Sequence, residues 1–303
     1  MESVTITGGT GLLGRELCRW LLTAGYRVNV LSRGNTNPSF AENIRLFRWN
    51  PQQGTIDEKA ISDTDFIIHL AGASIAAKRW SESRKKEILE SRAGGAKLLN
   101  AAMQRIPNRV RAVIGASAIG FYGSSDQKIF HENDPAAPDF LGQTCMAWED
   151  SLRPAEALGK RMVILRLGIL LSSRGGALKA LSQPMQLGLA CIPGSGRQWM
   201  SWLHIQDAAR IFVHSLETTE MTGIYNAAAP MPVQYAELVK TLAFTRHRSG
   251  SLLLRLPPWL LKLALGEMGT ELLKSCRVAV DKLSGTGFQY QYPDLEQALN
   301  HLE

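Results

Sequence analysis

Short apolar runs alternate with helical patterns through the first 171 residues. In order they are VTITGG (4–9), YRVNVLSR (26–33), IRLFRWN (44–50), DFIIHLAG (65–72), RAVIGASA (111–118) and MVILRLGILL (162–171). Most are apolar on successive residues, which marks strands covered on both faces. Between them lie helical patterns. LLGRELCRWLLTAG carries apolar residues at Leu13, Leu17, Trp20 and Leu21 and stops at Gly25. A longer pattern fills residues 81–106, and another fills 144–159. Buried strands separated by helices predict an α/β chain with a doubly wound parallel sheet. Past residue 171 the alternation loosens into Gly- and Ser-rich sequence, which predicts a smaller C-terminal lobe. The expected division is residues 1–170 plus 205–226 for the larger domain, and 171–204 plus 227–303 for the lobe.

A chain of 303 residues with 45% apolar and 20% charged residues can bury a sizeable core. Its net charge of +7 comes from scattered basic residues. That pattern suits an anionic small molecule such as a nucleotide phosphate, and no nucleic-acid partner is expected. Cys18, Cys145, Cys191 and Cys276 form no C-x-x-C pair, so no metal site is expected. Reduced thiols fit a cytoplasmic protein. The first strand begins close to Met1, so no signal peptide is expected. The most apolar late stretch, LLLRLPPWLLKLALGEM, is broken by Arg255, Pro257, Pro258 and Lys262, so no membrane span is expected either.

The first strand runs into TITGGTGLLG, where Gly8, Gly11 and Gly14 stand three apart and a helix follows. Each glycine has a distinct use. Gly8 permits the tight turn, Gly11 lets backbone approach a pyrophosphate, and Gly14 lets helix and strand pack closely. Thr10, Leu12 and Leu13 lie in the turn and the first helical positions, whose N–H groups face an anion.

The spacing G-x-x-G-x-x-G resembles the extended short-chain dehydrogenase/reductase family. DFIIHLAG is similar to its D-x-x-x-H-x-A-[AG] strand, ASAIGFYG to its serine-bearing strand, and WLHIQDAAR to its F-[IV]-H-V-x-D-x-A-x segment. KRW, ESR, GSGRQ, WLHIQD and TGFQYQYPDLEQAL resemble a subgroup, the sugar-nucleotide epimerase-like family with a small C-terminal domain. The resemblance covers nearly the whole chain. It implies a Rossmann domain and a nicotinamide cofactor.

The residue ending the second strand meets the adenosine ribose. VNVLSRG offers Ser32 and Arg33 there and no carboxylate. Arg33 can fork onto a 2′-phosphate with Ser32 assisting, so NADP(H) is the expected cofactor. The other reading of Arg33 is a solvated loop residue. Leu70, Ala71 and Gly72 are expected along the ribose and nicotinamide. Arg92 stands where the family resemblance implies an Asn that contacts the cofactor. Glu87 could reach the adenosine side, pair with Arg92, or be solvated. Gly168 in the sixth run is assigned to the same cofactor site.

The resemblance also implies a catalytic Tyr-x-x-x-Lys, and here the chain departs from it. No tyrosine has Lys four residues on. Alignment through Glu149 sets Leu141 at the Tyr position, as an apolar wall for the nicotinamide, and Cys145 at the Lys position. Ser117 and Tyr122 remain as candidate catalytic groups, with a capping Ser and a packing Tyr as the other readings. Cys145 reads as a small buried hydrophobe. His204 and Asp207 read as catalytic or as ordering the junction between lobes. Arg197 with Gln198, and Lys78 with Arg79, could bind an anionic substrate or be surface residues. Two functions stay open. One is an NADP(H)-dependent oxidoreductase or epimerase-like enzyme on a small polar substrate. The other is a non-catalytic NADP(H)-binding sensor or partner-binding module.

Overall fold

The structure is a computed structural model that describes residues 1–34, 43–246 (Arg246 for its backbone only) and 251–302. Eight strands form the central sheet: β1 (Ser3–Thr7), β2 (Arg27–Ser32), β3 (Ile44–Asn50), β4 (Thr55–Ile56), β5 (Phe66–His69), β6 (Ala112–Ala118), β7 (Arg161–Leu167) and β8 (Gly223–Ala227). Their order is β8-β7-β6-β5-β1-β2-β3-β4. Every neighbouring pair is parallel except β3 with β4. The strand order reverses beside β1, and such a switch point opens a crevice at the carboxyl ends of the strands.

Helix α1 (Leu12–Thr23) buries Leu13, Leu17 and Leu21, four residues apart, against the sheet. It packs beside α4 (Ile205–Glu217). On the other side α2 (Glu82–Arg105) packs beside α3 (Phe140–Leu152). Side chains set the starts of both. The Ser81 hydroxyl accepts from Arg84 N at 3.2 Å, and the Asp139 carboxylate accepts from Gly142 N at 3.0 Å. Each cap satisfies a first-turn donor that has no helical partner.

The sixth apolar run does not form one strand. It breaks at Gly168 into β7 and a short strand, Ile169–Leu171, that pairs with Trp202–His204. The reason is a close crossing. A Cβ at 168 would lie 2.8 Å from the Ser201 carbonyl oxygen, and the Gly168 N–H donates to Ala227 O. From this point the chain leaves the sheet and returns to it as β8. A second core collects Leu171, Leu178, Trp202, Val239, Leu242 and Leu299. Leu283 and Phe288, assigned by sequence to the smaller lobe, pack instead into the large core beneath the sheet.

Candidate functional site

Gly8 ends β1 with φ +73°, a conformation that a side chain makes costly. Its carbonyl accepts from Gly11 N at 2.9 Å, which closes the turn. A Cβ on Gly14 would lie 2.2 Å from that same carbonyl oxygen, so only glycine lets α1 start here. Gly11 caps α1 without a side chain, and the first turn carries no acidic residue. The N-terminal N–H groups therefore face the crevice with no built-in anion.

A groove of 760 Å³ opens beside this turn. Gly8, Thr10, Gly11, Ser32, Arg33, Leu70, Ala71, Gly72 and Glu87 all line it. Leu13 and Gly14 lie behind it in the packing of α1, and their side-chain positions are buried. Arg33 is exposed at the rim, and Ser32 Oγ accepts from Gly34 N at 3.4 Å. Glu87 does not pair with Arg92. Its partner is Arg84, at 2.6 Å, three residues earlier on α2. That bond holds the Glu87 carboxyl below the usual range, with Lys78 and Arg33 adding to the effect. Trp49, Lys86, Glu90 and Ser91 also line the groove and were missed in the sequence. Trp49 sits near the carboxyl end of β3, and the strand-end rule for open α/β sheets points there.

Beneath the groove a single chain of hydrogen bonds ties three elements together. Ala71 N donates to Thr7 Oγ1 at 3.2 Å, and Thr7 Oγ1 lies 2.7 Å from His69 Nδ1. His69 Nε2 lies 3.3 Å from the Arg92 carbonyl oxygen. A carbonyl only accepts, so Nε2 carries the proton and Nδ1 accepts from the Thr7 hydroxyl. Burial lowers the His69 pKa to about 4, which keeps this neutral tautomer. Arg92 lies below the loop after β5. Its Nη1 donates to Ala73 O and Ile88 O, and its guanidinium stands 5.0 Å from the Trp148 ring centroid. A Cβ on Gly72 would meet that guanidinium carbon at 3.0 Å. Arg92 thus supports the floor of the groove, with its side chain buried.

The wall made by β6 and α3 is of a different kind. Ser117 is 2% exposed, and its hydroxyl donates to Glu149 Oε1 at 2.7 Å. Arg166 grips the same carboxylate with two bonds of 2.8 Å, from Nε to Oε1 and from Nη2 to Oε2. Arg166 Nη1 donates to Tyr122 Oη at 2.8 Å, and Tyr122 Oη donates to Asn226 Oδ1 at 2.6 Å. Asn226 in turn donates to Ala279 O at 3.0 Å. Of the two readings of Tyr122, a catalytic group and a packing residue, this placement fits the second. The ring is 4% exposed and stacks on Phe130 with centroids 5.2 Å apart. Burial pushes its phenol up to about 12, against the pull of the Arg166 guanidinium.

Leu141 is half-buried beside Gly120 at the start of α3, and Gly168 lies at the crossing into the smaller lobe. Cys145 is buried, and its thiol is pushed up to about 11 by burial, with Glu149 adding to the rise and Arg92 opposing it. Asp207 is fully buried and accepts from Gln291 N, Tyr292 N and Arg210. It fastens α4 to the C-terminal segment. His204 caps α4 by accepting from Gln206 N at 3.3 Å. Gln198 is buried and donates to Pro193 O and Leu272 O inside the smaller lobe. Arg197, Lys78 and Arg79 are exposed. Among the described residues no cluster of three or more His, Cys, Asp or Glu could hold a metal, and no helix is long and apolar enough to cross a membrane.

Known proteins share this architecture. Residues 4–228 match the NAD dependent epimerase/dehydratase family, and residues 256–302 match a domain of unknown function, DUF1731. The chain is 36% identical over 301 residues to Epimerase family protein YfhF of Bacillus subtilis (strain 168), covering 99% of this chain and 97% of that one. It is 30% identical to the chloroplastic Epimerase family protein SDR39U1 homolog of Arabidopsis thaliana, over 98% of this chain and 85% of that one. Among solved structures, human epimerase family protein SDR39U1 (isoform 2) with NADPH superposes with a TM-score of 0.87 at 28% identity, over 99% of this chain and 98% of that one. With the family model matched over residues 4–228 and a relative 36% identical over nearly the whole chain, the chain belongs to the NAD dependent epimerase/dehydratase family.

Proposed function

We propose that this chain binds NADP(H) in the groove beside the glycine turn and exchanges hydride with a small polar substrate. The observation that carries the reading is the groove itself. Beside it lies a tight glycine turn, with Gly8 at φ +73° and room at residue 14 only for glycine, since a Cβ there would lie 2.2 Å from the Gly8 carbonyl oxygen. Its rim at the end of β2 carries Ser32 and Arg33 and no carboxylate. The residues fit a dinucleotide phosphate. The first-turn N–H groups of α1 would take the pyrophosphate, Arg33 would take a 2′-phosphate, and Leu70, Ala71 and Gly72 would line the ribose. The bound nicotinamide supplies a hydride donor or acceptor. The reading is consistent with the NADPH of human SDR39U1.

Proton delivery in this reading does not use a Tyr-x-x-x-Lys pair, because Leu141 and Cys145 stand at those positions. Ser117 is the polar group left on the β6 wall, and its own proton is directed to Glu149. The proton then comes from water or from the substrate. One observation favours the second reading, an NADP(H)-binding module without turnover: Ser117 and Tyr122 both have their hydroxyls engaged inside the wall.

Fluorescence titration of NADPH and NADH tests the first step. We expect preference for NADPH, lowered by about 1.5–3 kcal/mol, or roughly 10- to 100-fold, in Arg33→Ala. Equal affinity of the wild type for both cofactors overturns the assignment. NADPH oxidation is then followed across small carbonyls and sugar nucleotides. Tight binding with no turnover on that panel selects the module.

A further inference from the structure

The smaller lobe carries a surface that the nucleotide groove does not explain. The strand Leu252–Leu256, sequence LLLRL, pairs in parallel with Leu189–Pro193. Its other edge pairs with no strand among the described residues. Leu252 N donates to Gly188 O, and Leu256 O accepts from Gly194 N. Even-numbered residues therefore turn their backbone groups toward the neighbouring strand, and Leu253 and Arg255 turn theirs to the open edge. The side chains of Leu252, Leu253 and Leu254 are all exposed. After Pro257 the helix Pro258–Leu265 exposes Trp259 (67%), Leu260 and Leu263 (68%). Native proteins cover, bulge or charge an open edge of this kind, because it templates pairing.

We propose that this strand and helix form a two-fold interface with a second copy of the chain. Three arguments select that occupant. A lipid surface would accept the leucines and Trp259, but would leave the outward N–H and C=O groups without partners. A second strand pairs them. The sequence is also self-complementary in one register. With the two-fold axis at Leu254, an antiparallel partner sets Leu253 against Arg255 and Leu252 against Leu256. Leu253 and Arg255 are the residues with outward backbone groups, so each pair exchanges two hydrogen bonds. Leu252, Leu254 and Leu256 of both copies then share one face. The Arg255 stem lies along Leu253, and the two guanidinium groups are not opposed. Moving the axis to residue 255 would set the arginines face to face, which is unfavourable. Finally, six exposed apolar side chains fall within residues 252–263, on the strand and the helix that follows it, and covering them in both copies would supply apolar area toward the about 1,200–2,000 Å² of a stable interface.

Analytical ultracentrifugation of the full chain tests the proposal. The wild type should sediment as a dimer at micromolar concentration. Leu253→Pro removes one outward N–H and leaves the inward bonds intact, so it should weaken self-association at least tenfold. Leu254→Arg sets like charges across the axis and should do the same by a second route. Leu254→Cys should form a reducible cross-linked dimer under mild oxidation, since residues at such an axis sit with Cα atoms about 4.5 Å apart. Wild type and Met231→Cys, exposed elsewhere, should not. A monomeric wild type at roughly 100 μM overturns the proposal. So does a dimer that survives both Leu253→Pro and Leu254→Arg, or one that Leu254→Cys fails to cross-link. Monomeric binding to phosphatidylserine vesicles in place of self-association overturns it in favour of a lipid.

Discussion

The two sides of the cleft treat their polar groups in opposite ways. On the glycine turn α1 begins beside the groove, with no side-chain cap and no acidic residue in its first turn. On the β6 wall the hydroxyls of Ser117 and Tyr122 are both bonded to protein groups, and the pivot is a two-bond Arg166–Glu149 pair buried to 2% exposure. Open donors at the end of a helix are what an anion needs. A closed, fully bonded network is what a rigid core needs. The contrast separates a nucleotide-sized groove with open donors from a wall whose hydroxyls are already bonded. The groove side leaves its helix-terminal donors open, and the polar groups of the wall are occupied by their own neighbours.

The strongest way to break that comparison is to attack the wall. Glu149→Ala would leave the Arg166 guanidinium buried without its carboxylate, and breaking a buried pair from one side costs about 3–5 kcal/mol. We expect a large drop in the denaturation midpoint, with NADPH affinity of the folded fraction unchanged. A matching loss of affinity, measured under conditions where the variant is folded, would show that wall and cradle act as one unit.

The cradle is next. Gly14→Ala pushes a methyl group against the Gly8 carbonyl oxygen, where the space is 2.2 Å. Backbone cannot give way as a flexible side chain does, so the turn must open. The loss of cofactor affinity should be on the order of 3 kcal/mol, roughly 100-fold. Gly94→Ala is the control. It also lies on the groove, but a Cβ there meets nothing within 4 Å. Its affinity should change less than about threefold. Equal losses in the two variants would mean that added bulk anywhere on the groove, and not the geometry of the turn, sets binding.

These two halves were not equally legible in the sequence. The cradle is local. Gly8, Gly11, Ser32 and Arg33 come from a strand, a turn and the next strand end, and short-range patterns carry them. The wall is not local. Glu149, Arg166, Tyr122 and Asn226 converge from α3, β7, the turn after β6, and β8, with separations of up to 104 residues. Tyr122 stands near Ser117 in sequence, which makes the two candidates for one catalytic site. In space its hydroxyl points into Arg166 and Asn226, and nothing in its immediate neighbours signals that. Arg92 and Cys145 share this limit. The helical pattern placed each on its own helix, but not the convergence of both helices on the Trp148 side. That convergence also bears on restoring the missing pair. A Lys at 145 would be buried near the Arg92 guanidinium, so the double change Leu141→Tyr with Cys145→Lys meets a like charge that the sequence hid. The split of the sixth run at Gly168 has the same origin, a contact with Ser201 from a distant segment.

Acid sharpens the comparison from the cradle side. His69 has a folded pKa of about 4, below its ordinary value of 6.5, because burial disfavours the charged ring. Between those values the unfolded chain binds a proton that the folded chain does not. Stability therefore falls as pH drops through 6.5 toward 4 and is flat above 7. From pH 7 to pH 5 the loss from this group approaches about 2 kcal/mol. Urea denaturation should show wild type losing about that much more over this interval than His69→Gln. Equal slopes would mean that the imidazole is already charged or exposed, and the Thr7–His69–Arg92 tie would fall with it.

The smallest effect concerns Tyr122 and bears most directly on function. Tyr122→Phe removes one hydroxyl from the wall. Arg166 Nη1 keeps the Glu132 carbonyl at 3.0 Å, so the guanidinium is not orphaned. Asn226 Oδ1 loses its 2.6 Å donor and is buried, which costs about 1 kcal/mol. The ring still stacks on Phe130 and still lies under Arg166. If the hydroxyl is part of the wall alone, the variant loses that much stability and nothing else. NADPH affinity, and any rate of NADPH consumption the wild type supports, should stay within about twofold at every pH. A proton donor behaves otherwise. Its removal slows the rate by roughly 100-fold or more and abolishes a limb of the pH profile. Measuring stability and rate on the same preparation separates the two, because a packing defect moves only the first. A rate that collapses while stability barely changes would return Tyr122 to the chemistry and erase the contrast between the two sides of the cleft.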